Sequence, residues 1–233
     1  NSSDAYVIGT VKATDADAGT TLSYSISSGN GNGWFEIDSN GNISLTALGV
    51  AAAANDFEAL VNTHNLVVTA TDGTNSSNIN VTLNEQDVND NAPVFEDPNN
   101  PGTPVASYTF NYDENSSDAD VIGTVKATDV DSSTVTYSIS SGNGNNWFEI
   151  NANTGEISLT AAGVAAAAND YEALANIHNL VVMATDGTNS TNINVTLNEQ
   201  DVNDNAPVFV DPANPGTPVA SYTFNYDENS SDA

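Results

Sequence analysis

The 233-residue chain contains no cysteine, two Lys+Arg and one methionine. Without cysteine there are no disulfides and no thiolate metal sites. With two cations against 31 Asp+Glu, a formal charge of -29, nothing is available to neutralise phosphate, so nucleic acid is excluded as a partner. The same shortage argues against docking on an anionic membrane. No apolar run reaches spanning length, and no signal peptide is visible. An acidic excess of this size either keeps a surface soluble or awaits cations. Hydrophobic residues make up 39% of the chain. They fall in alternating runs, which marks a globular composition rather than a disordered acidic tail.

The chain is built from repeats. Residues 87–95 (DVNDNAPVF) recur letter for letter at 201–209, 114 positions later. NSSDA stands at 1–5, 115–119 and 229–233, and VIGTVKATD at 7–15 and 121–129. The expected organisation is repeat 1 over 1–91, lacking its first strand, a complete repeat 2 over 92–205, and the first strand of a third over 206–233. The chain starts mid-repeat and reads as part of something longer.

Within repeat 2, residues 108–112, 121–126, 135–139, 157–159 and 193–197 alternate polar and apolar, and 147–150 and 180–184 are short apolar runs. Such patterns predict strands, and the Gly, Asn, Ser and Asp clusters between them predict turns. Seven short strands in about 100 residues point to a two-sheet antiparallel sandwich. The alanine-rich segment 161–174 predicts a helical turn or two crossing between the sheets.

The acids cluster in repeat 2 at Asp113–Glu114, Asp129–Asp131, Asp170–Glu172 and 201–205, with Asp186 in addition. Five patterns occur in order: an xEN turn after the first strand; A-x-D-x-D (Ala127, Asp129, Asp131); F-x-I-x-x-x-x-G-x-I (Phe148, Ile150, Gly155, Ile157); D-x-E followed by L-x-V-x-A-x-D (Leu180, Val182, Ala184, Asp186); and D-x-N-D-N-x-P. Together they resemble the cadherin repeat family along the whole repeat. The fold the resemblance implies is all-β: tandem seven-stranded Greek-key sandwiches, cadherin/Ig-like, each with a short Ala-rich helical insertion.

The resemblance also implies a site, since cadherin arrays hold calcium between consecutive repeats. Carried over, the junction between repeats 1 and 2 uses Asp56, Glu58, Asn89 and Asp90 from the first, with Val88 and Asn91 offering backbone carbonyls. The second supplies Asp129, Asp131 and Asp186. The xEN glutamate of repeat 1 falls just before Asn1. The lower end of repeat 2 carries Glu114, Asp170, Glu172, Asn203 and Asp204, while Asp15, Asp17 and Asp72 face the position of a preceding repeat. The residue chemistry agrees. Carboxylates crowded at one seam resist ionisation without counter-charge. A donor set of oxygen alone selects a hard cation, and calcium accepts 6–8 such ligands. Seven negative charges, counting the glutamate before Asn1, roughly balance three divalent ions. Two or three Ca2+ per complete junction are expected, with dissociation constants of roughly 0.1–1 mM.

Other readings are weaker. Asp56 and Glu58 as a glycosidase pair lack any sign of a cleft. Asp15-Ala16-Asp17 lacks the glycine and distal glutamate of an EF-hand. His64, His178, Trp34 and Trp147 read as structural. No nucleophile or acid–base set suggests an enzyme. The expected role is a calcium-rigidified extender or adhesive segment of an extracellular cell-adhesion protein on a cell surface. The near-identical repeats and lack of cysteine suggest a bacterial one. Direct homophilic or carbohydrate-binding adhesion is the alternative. Beyond the neighbouring repeats of the same chain, the copied strand in 206–233 offers head-to-tail self-association by strand addition.

Overall fold

The computed structural model describes residues 3, 6–17, 19–52, 56–59, 61–166, 169–173, 175–226 and 228. Most of the NSSDA copies at 1–5 and 229–233 lie outside these residues, as do 167, 168 and 174 of the alanine-rich segment.

The first repeat runs β1 (Val7–Thr10), β2 (Ser23–Ser28), β3 (Phe35–Ile37), β4 (Asn42–Leu45), α1 (Ala47–Val50), β5 (Thr63–Thr71) and β6 (Ser76–Asn84). Its two sheets have the orders β1-β4-β3 and β2-β5-β6. The second repeat runs β7 (Val94–Asp97), β8 (Asn100–Pro104), β9 (Ser107–Asp113), β10 (Gly123–Thr124), β11 (Ala127–Thr128), β12 (Thr136–Ser141), β13 (Phe148–Ile150), β14 (Glu156–Leu159), α2 (Ala161–Val164), β15 (Ile177–Thr185) and β16 (Ser190–Gln200). Its sheets are β12-β15-β16-β9, β10-β14-β13 and β11-β7-β8. The architecture is the expected all-β tandem sandwich. Each predicted strand of the second repeat has a counterpart, but of 121–126 only Gly123–Thr124 (β10) is strand, and β11 begins after it, past the fully buried Val125.

Alternation sets the core. Along β16, Ile193, Val195, Leu197 and Glu199 are buried in turn while their neighbours are more exposed. The apolar three share one core with Leu180 and Val182 of the adjacent β15 and with Val125, Ile157 and Leu159, all fully buried. β9 seals this sheet by pairing parallel to β16, from Ser107 opposite Asn194 to Asp113 opposite Gln200. In the first repeat no described strand covers the same edge of β6. Ile79 is consequently 58% exposed where its counterpart Ile193 is 5% exposed.

The alanine-rich segment forms a single helical turn, α2, capped by Thr160, whose hydroxyl accepts from the Gly163 N–H. The Pro/Gly-rich stretch 97–104 forms the β7–β8 hairpin, which sequence alternation did not reveal. Its anchor is the buried Glu96. This carboxylate accepts from the Gly102 N–H and pairs with Lys126 Nζ at 2.9 Å, and the two hold it below the usual carboxylate range. No helix among the described residues is long and apolar enough to cross a membrane.

Gly163 gives a test of packing against propensity. Alanine is the better helix former by about 1 kcal/mol, but a Cβ at Gly163 would lie 2.1 Å from the Trp147 carbonyl oxygen. Gly163→Ala is therefore expected to lower stability by about 1–3 kcal/mol through overpacking. Thermal unfolding checks the sign; a rise in Tm contradicts it.

Candidate metal centre

Turn chemistry positions the acids at the seam. Asp129 follows β11 and closes a tight turn: its Oδ1 accepts from the Asp131 and Ser132 N–H groups at 2.9 Å each. Asp186 does the same in the β15–β16 hairpin, where Oδ1 accepts from Thr188 and Asn189 at 2.6 Å each. Aspartate suits such turns because its short carboxylate reaches amides two and three residues on. Each turn occupies one oxygen. The second, Oδ2 of Asp129 and of Asp186, is buried and has no hydrogen-bond partner.

The link from β6 to β7 crosses onto these turns. Asp131 Oδ2 accepts from the Asp90 N–H at 3.0 Å and the Asn91 N–H at 2.6 Å. The Asn91 side-chain amide donates to Asp131 Oδ1 at 3.2 Å and Asp90 Oδ1 at 3.1 Å, and lies 3.5 Å from Glu58 Oε2. The Asn189 amide donates to Asn89 Oδ1 at 3.1 Å. Carboxylate oxygens of Glu58, Asp87 and Asp131 converge within 4.8 Å of one another, two from the first repeat and one from the second. Desolvation, then the adjacent Asp131 and Asp56, pushes the Glu58 carboxyl up to about 7 even though the residue's outer face is exposed. The Asn91 amide, above all, holds Asp131 low.

The predicted junction residues thus meet at one seam. Glu58 and Asp131 stand in the tight triad, Asp56 lies beside Glu58, Asp90 and Asn91 bind Asp131, and Asn89 meets Asn189. Asp129 and Asp186 supply the orphaned oxygens. Val88 is an exposed link residue. Asp87 was not among the predicted ligands, although it opens the repeated DVNDN motif. Asn189 was also missed, and its contact spans 100 positions, which no local pattern shows.

The lower end of repeat 2 repeats the scheme. Glu114 is 3% exposed. Its Oε1 accepts from the Val202 N–H at 2.7 Å and its Oε2 from the Tyr171 N–H at 2.8 Å, which clamps two loops together. Oxygens of Glu114, Glu172 and Asp201 converge within 4.8 Å. Asp201, like Asp87, was missed. Asp204 accepts from the Asn115 amide at 2.7 Å, while Asp170 and Asn203 are exposed nearby and outside the triad. Desolvation, then Glu114, Asp201 and Asp204, raises the Glu172 carboxyl.

All donors are oxygens, two are buried without partners, and the acids face acids. This set fits a hard divalent cation. The histidines take no part. Both rings pack against Trp and Phe at centroid separations of 5.1–6.0 Å, and burial lowers their pKa from the ordinary histidine value.

A profile for the cadherin domain matches residues 1–84 and 108–198. The chain is 35% identical over 212 residues to human protocadherin-15, covering 87% of this chain and 10% of that protein. It is 36% identical over 217 residues to rat cadherin-23, covering 85% of this chain and 6% of that one. It therefore spans about a tenth or less of these curated relatives. In structure it resembles mouse cadherin-23 EC22-24 with a TM-score of 0.67 and 26% identity, over 87% of this chain and 62% of that one. It also resembles a protocadherin gammaB7 EC3-6 cis-dimer structure with a TM-score of 0.59 and 28% identity, over 82% of this chain and 46% of that one. The chain belongs to the cadherin family. Its domains are adhesion-type modules without enzymatic activity, of a class that generally binds Ca2+ at the junctions between repeats.

Asp131 should hold the link even in chelator. Asp131→Ala removes the acceptor shared by Asp90 and Asn91, so hydrogen exchange at these two amides should quicken several-fold while β15 and β16 stay protected. Unchanged exchange at the link would refute the clamp.

Proposed function

We propose that this chain is a calcium-rigidified segment of an extracellular cell-adhesion protein, an extender that turns a string of sandwiches into a stiff rod. One observation carries the reading. At the seam, the oxygen triad of Glu58, Asp87 and Asp131 draws on both repeats, and beside it Asp129 and Asp186 each bury an unpartnered carboxylate oxygen. Two or three Ca2+ would occupy a complete junction, held by these residues with Asp56, Asp90 and the oxygens of Val88, Asn89 and Asn91. The bound ions supply positive charge, and the chain's residues supply the frame. Repeat boundaries near 91–92 and 205–206 follow, because the two links fall there. Oxygen coordination favours calcium over magnesium, which gives up its waters reluctantly. A bacterial surface is the proposed setting, resting on the near identity of the repeats and the lack of cysteine; the relatives named above are animal proteins.

A second reading, direct adhesion through self-association, has its own support. Segment 221–226 repeats the letters of β9, and Phe224 and Tyr226 are 82% and 89% exposed. The edge of β6, with Ile79 uncovered, matches the β16 edge that β9 fills. One copy's tail pairing with another's β6 would join copies head to tail. Carbohydrate binding is less favoured, since Trp147, Phe148, Tyr108 and Tyr112 are spent on the core.

Solution scattering tests the rod. The maximum dimension should be sharp and larger in calcium, and smaller with a broadened distribution in chelator. Each independent site at hundredfold saturation should add roughly 2.7 kcal/mol. Identical scattering in both buffers contradicts the reading. For the second, sedimentation should show mass rising with concentration and lost in Phe224→Asp; a monomer at all concentrations removes it.

A further inference from the structure

Residues 206–226 carry the letters of 92–112 with two changes, Val210 in place of Glu96 and Ala213 in place of Asn99. They also carry its shape. The Tyr222 hydroxyl donates to the Val210 carbonyl as Tyr108 does to that of Glu96. The Val219 N–H donates to the Phe209 carbonyl at 2.9 Å, as Val105 does to Phe95 at 3.0 Å. Phe209 meets Tyr222 edge-on at 6.1 Å, and Tyr222 stacks on Phe224 at 5.9 Å. The corresponding separations among Phe95, Tyr108 and Phe110 are 6.2 and 5.7 Å. In the second repeat those three rings pack into the core. In 206–226 the same rings lie open: Phe209 is 74% exposed where Phe95 is 3% exposed.

The first repeat has the matching socket, open on both sheets. In the second repeat Phe110 packs on Gly123 of β10, where a Cβ would lie 2.3 Å from the ring. Gly9 holds the same position in β1, and nothing described stands within 4 Å of where its Cβ would be. β7 pairs with β11, Phe95 opposite Ala127, while the corresponding residues 11–14 belong to no strand. Lys126 pairs with Glu96, and its counterpart Lys12 makes no ion pair among the described residues. The edge of β6 is uncovered, as described above. These are the points at which 92–112 holds the second repeat together.

We propose that 206–226 is a preformed plug for the first repeat of a second copy, that it enters both sheets, and that Gly9 and Lys12 read it. Gly9 leaves room for the Phe224 ring, and Lys12 faces position 210. This rests on the self-association reading above and deepens it by naming the residues that select the partner. By the register of β9 on β16, Tyr222 lies opposite Val81 and Phe224 opposite Leu83 of the second copy, and by that of β7 on β11, Phe209 lies opposite Ala13. A plug that is already shaped loses little freedom on docking. The fit is imperfect at one point. Where Lys126 meets a carboxylate in its own repeat, Lys12 meets the apolar Val210. The plug therefore docks less tightly than 92–112 holds its own repeat, and contact between copies stays reversible. Plug and socket are different surfaces, so each copy offers both and the contact extends head to tail.

Sedimentation of the full chain over a concentration series, in chelator so that calcium does not enter, tests this on wild type, Gly9→Val, Val210→Glu and the double variant Val210→Glu, Lys12→Glu. Mass should rise with concentration in wild type. Gly9→Val should weaken association about tenfold or more by overpacking the Phe224 position, with no loss of Tm in dilute samples. Val210→Glu should tighten association about tenfold, the scale of a charge-assisted hydrogen bond, and adding Lys12→Glu should cancel the gain. If wild type associates and neither Gly9→Val nor Val210→Glu changes it, the exposed rings adhere without the socket: the inference is overturned and self-association stands. If wild type and Val210→Glu both stay monomeric at all concentrations, the self-association reading falls and the inference with it.

Discussion

Carboxylates meeting carboxylates across a seam, with no lysine or arginine paired to them among the described residues, is the condition on which the rest of this molecule depends. Of its two basic residues, Lys126 pairs with Glu96 and serves the β7–β8 hairpin. Among the described residues, the acids at the repeat ends are met by backbone amides, asparagine side chains and each other. These donors satisfy some oxygens and leave others bare, notably on Asp129, Asp186 and Glu199. A surface acid can simply face water. A buried one must find charge or keep its proton. In the proposed reading, divalent ions supply that charge, and stiffness follows because the neutralised acids come from both sides.

The sandwich serves this seam by fixing where loops end. The nine-residue pairing of β15 with β16 presents the Asp186 turn at a set height, and the β11–β7 ladder does so for Asp129 and Asp131. Turn amides consume one oxygen of each aspartate, orienting the other. Glu114 works from the opposite end, tying the Tyr171 loop and the Val202 link to β9. The protein–protein bonds across the junction, from Asp90, Asn91 and Asn189, hold the link in register but add no positive charge. They locate the neighbouring repeat; they do not offset repulsion.

Much of this was legible in the residues. Alternation in 108–112 and 193–197 gave β9 and β16 nearly as found, because those strands bury one face against a core. The ordered motifs marked which acids gather. Other features depended on contacts distant in sequence. The β7–β8 hairpin hides in a stretch rich in proline, glycine and asparagine, and its anchor is a pairing of Glu96 with Lys126 thirty positions away. The alanine-rich segment, expected to give a helical turn or two, has one turn among its described residues, α2, pinned where Gly163 passes against Trp147. Asp87 and Asp201 were in plain view inside the repeated motif, but which of its acids points into the triad depends on how the link leaves its strand. Glu199 was invisible for a different reason: a glutamate near a strand's end reads as solvated, and only burial shows that it faces inward.

Anomalous diffraction from crystals grown in abundant calcium, or soaked in terbium, tests the central claim most directly. The account predicts strong peaks among Glu58, Asp87 and Asp131 and beside the bare oxygens of Asp129 and Asp186. Water alone in that space, at high cation concentration, would contradict it.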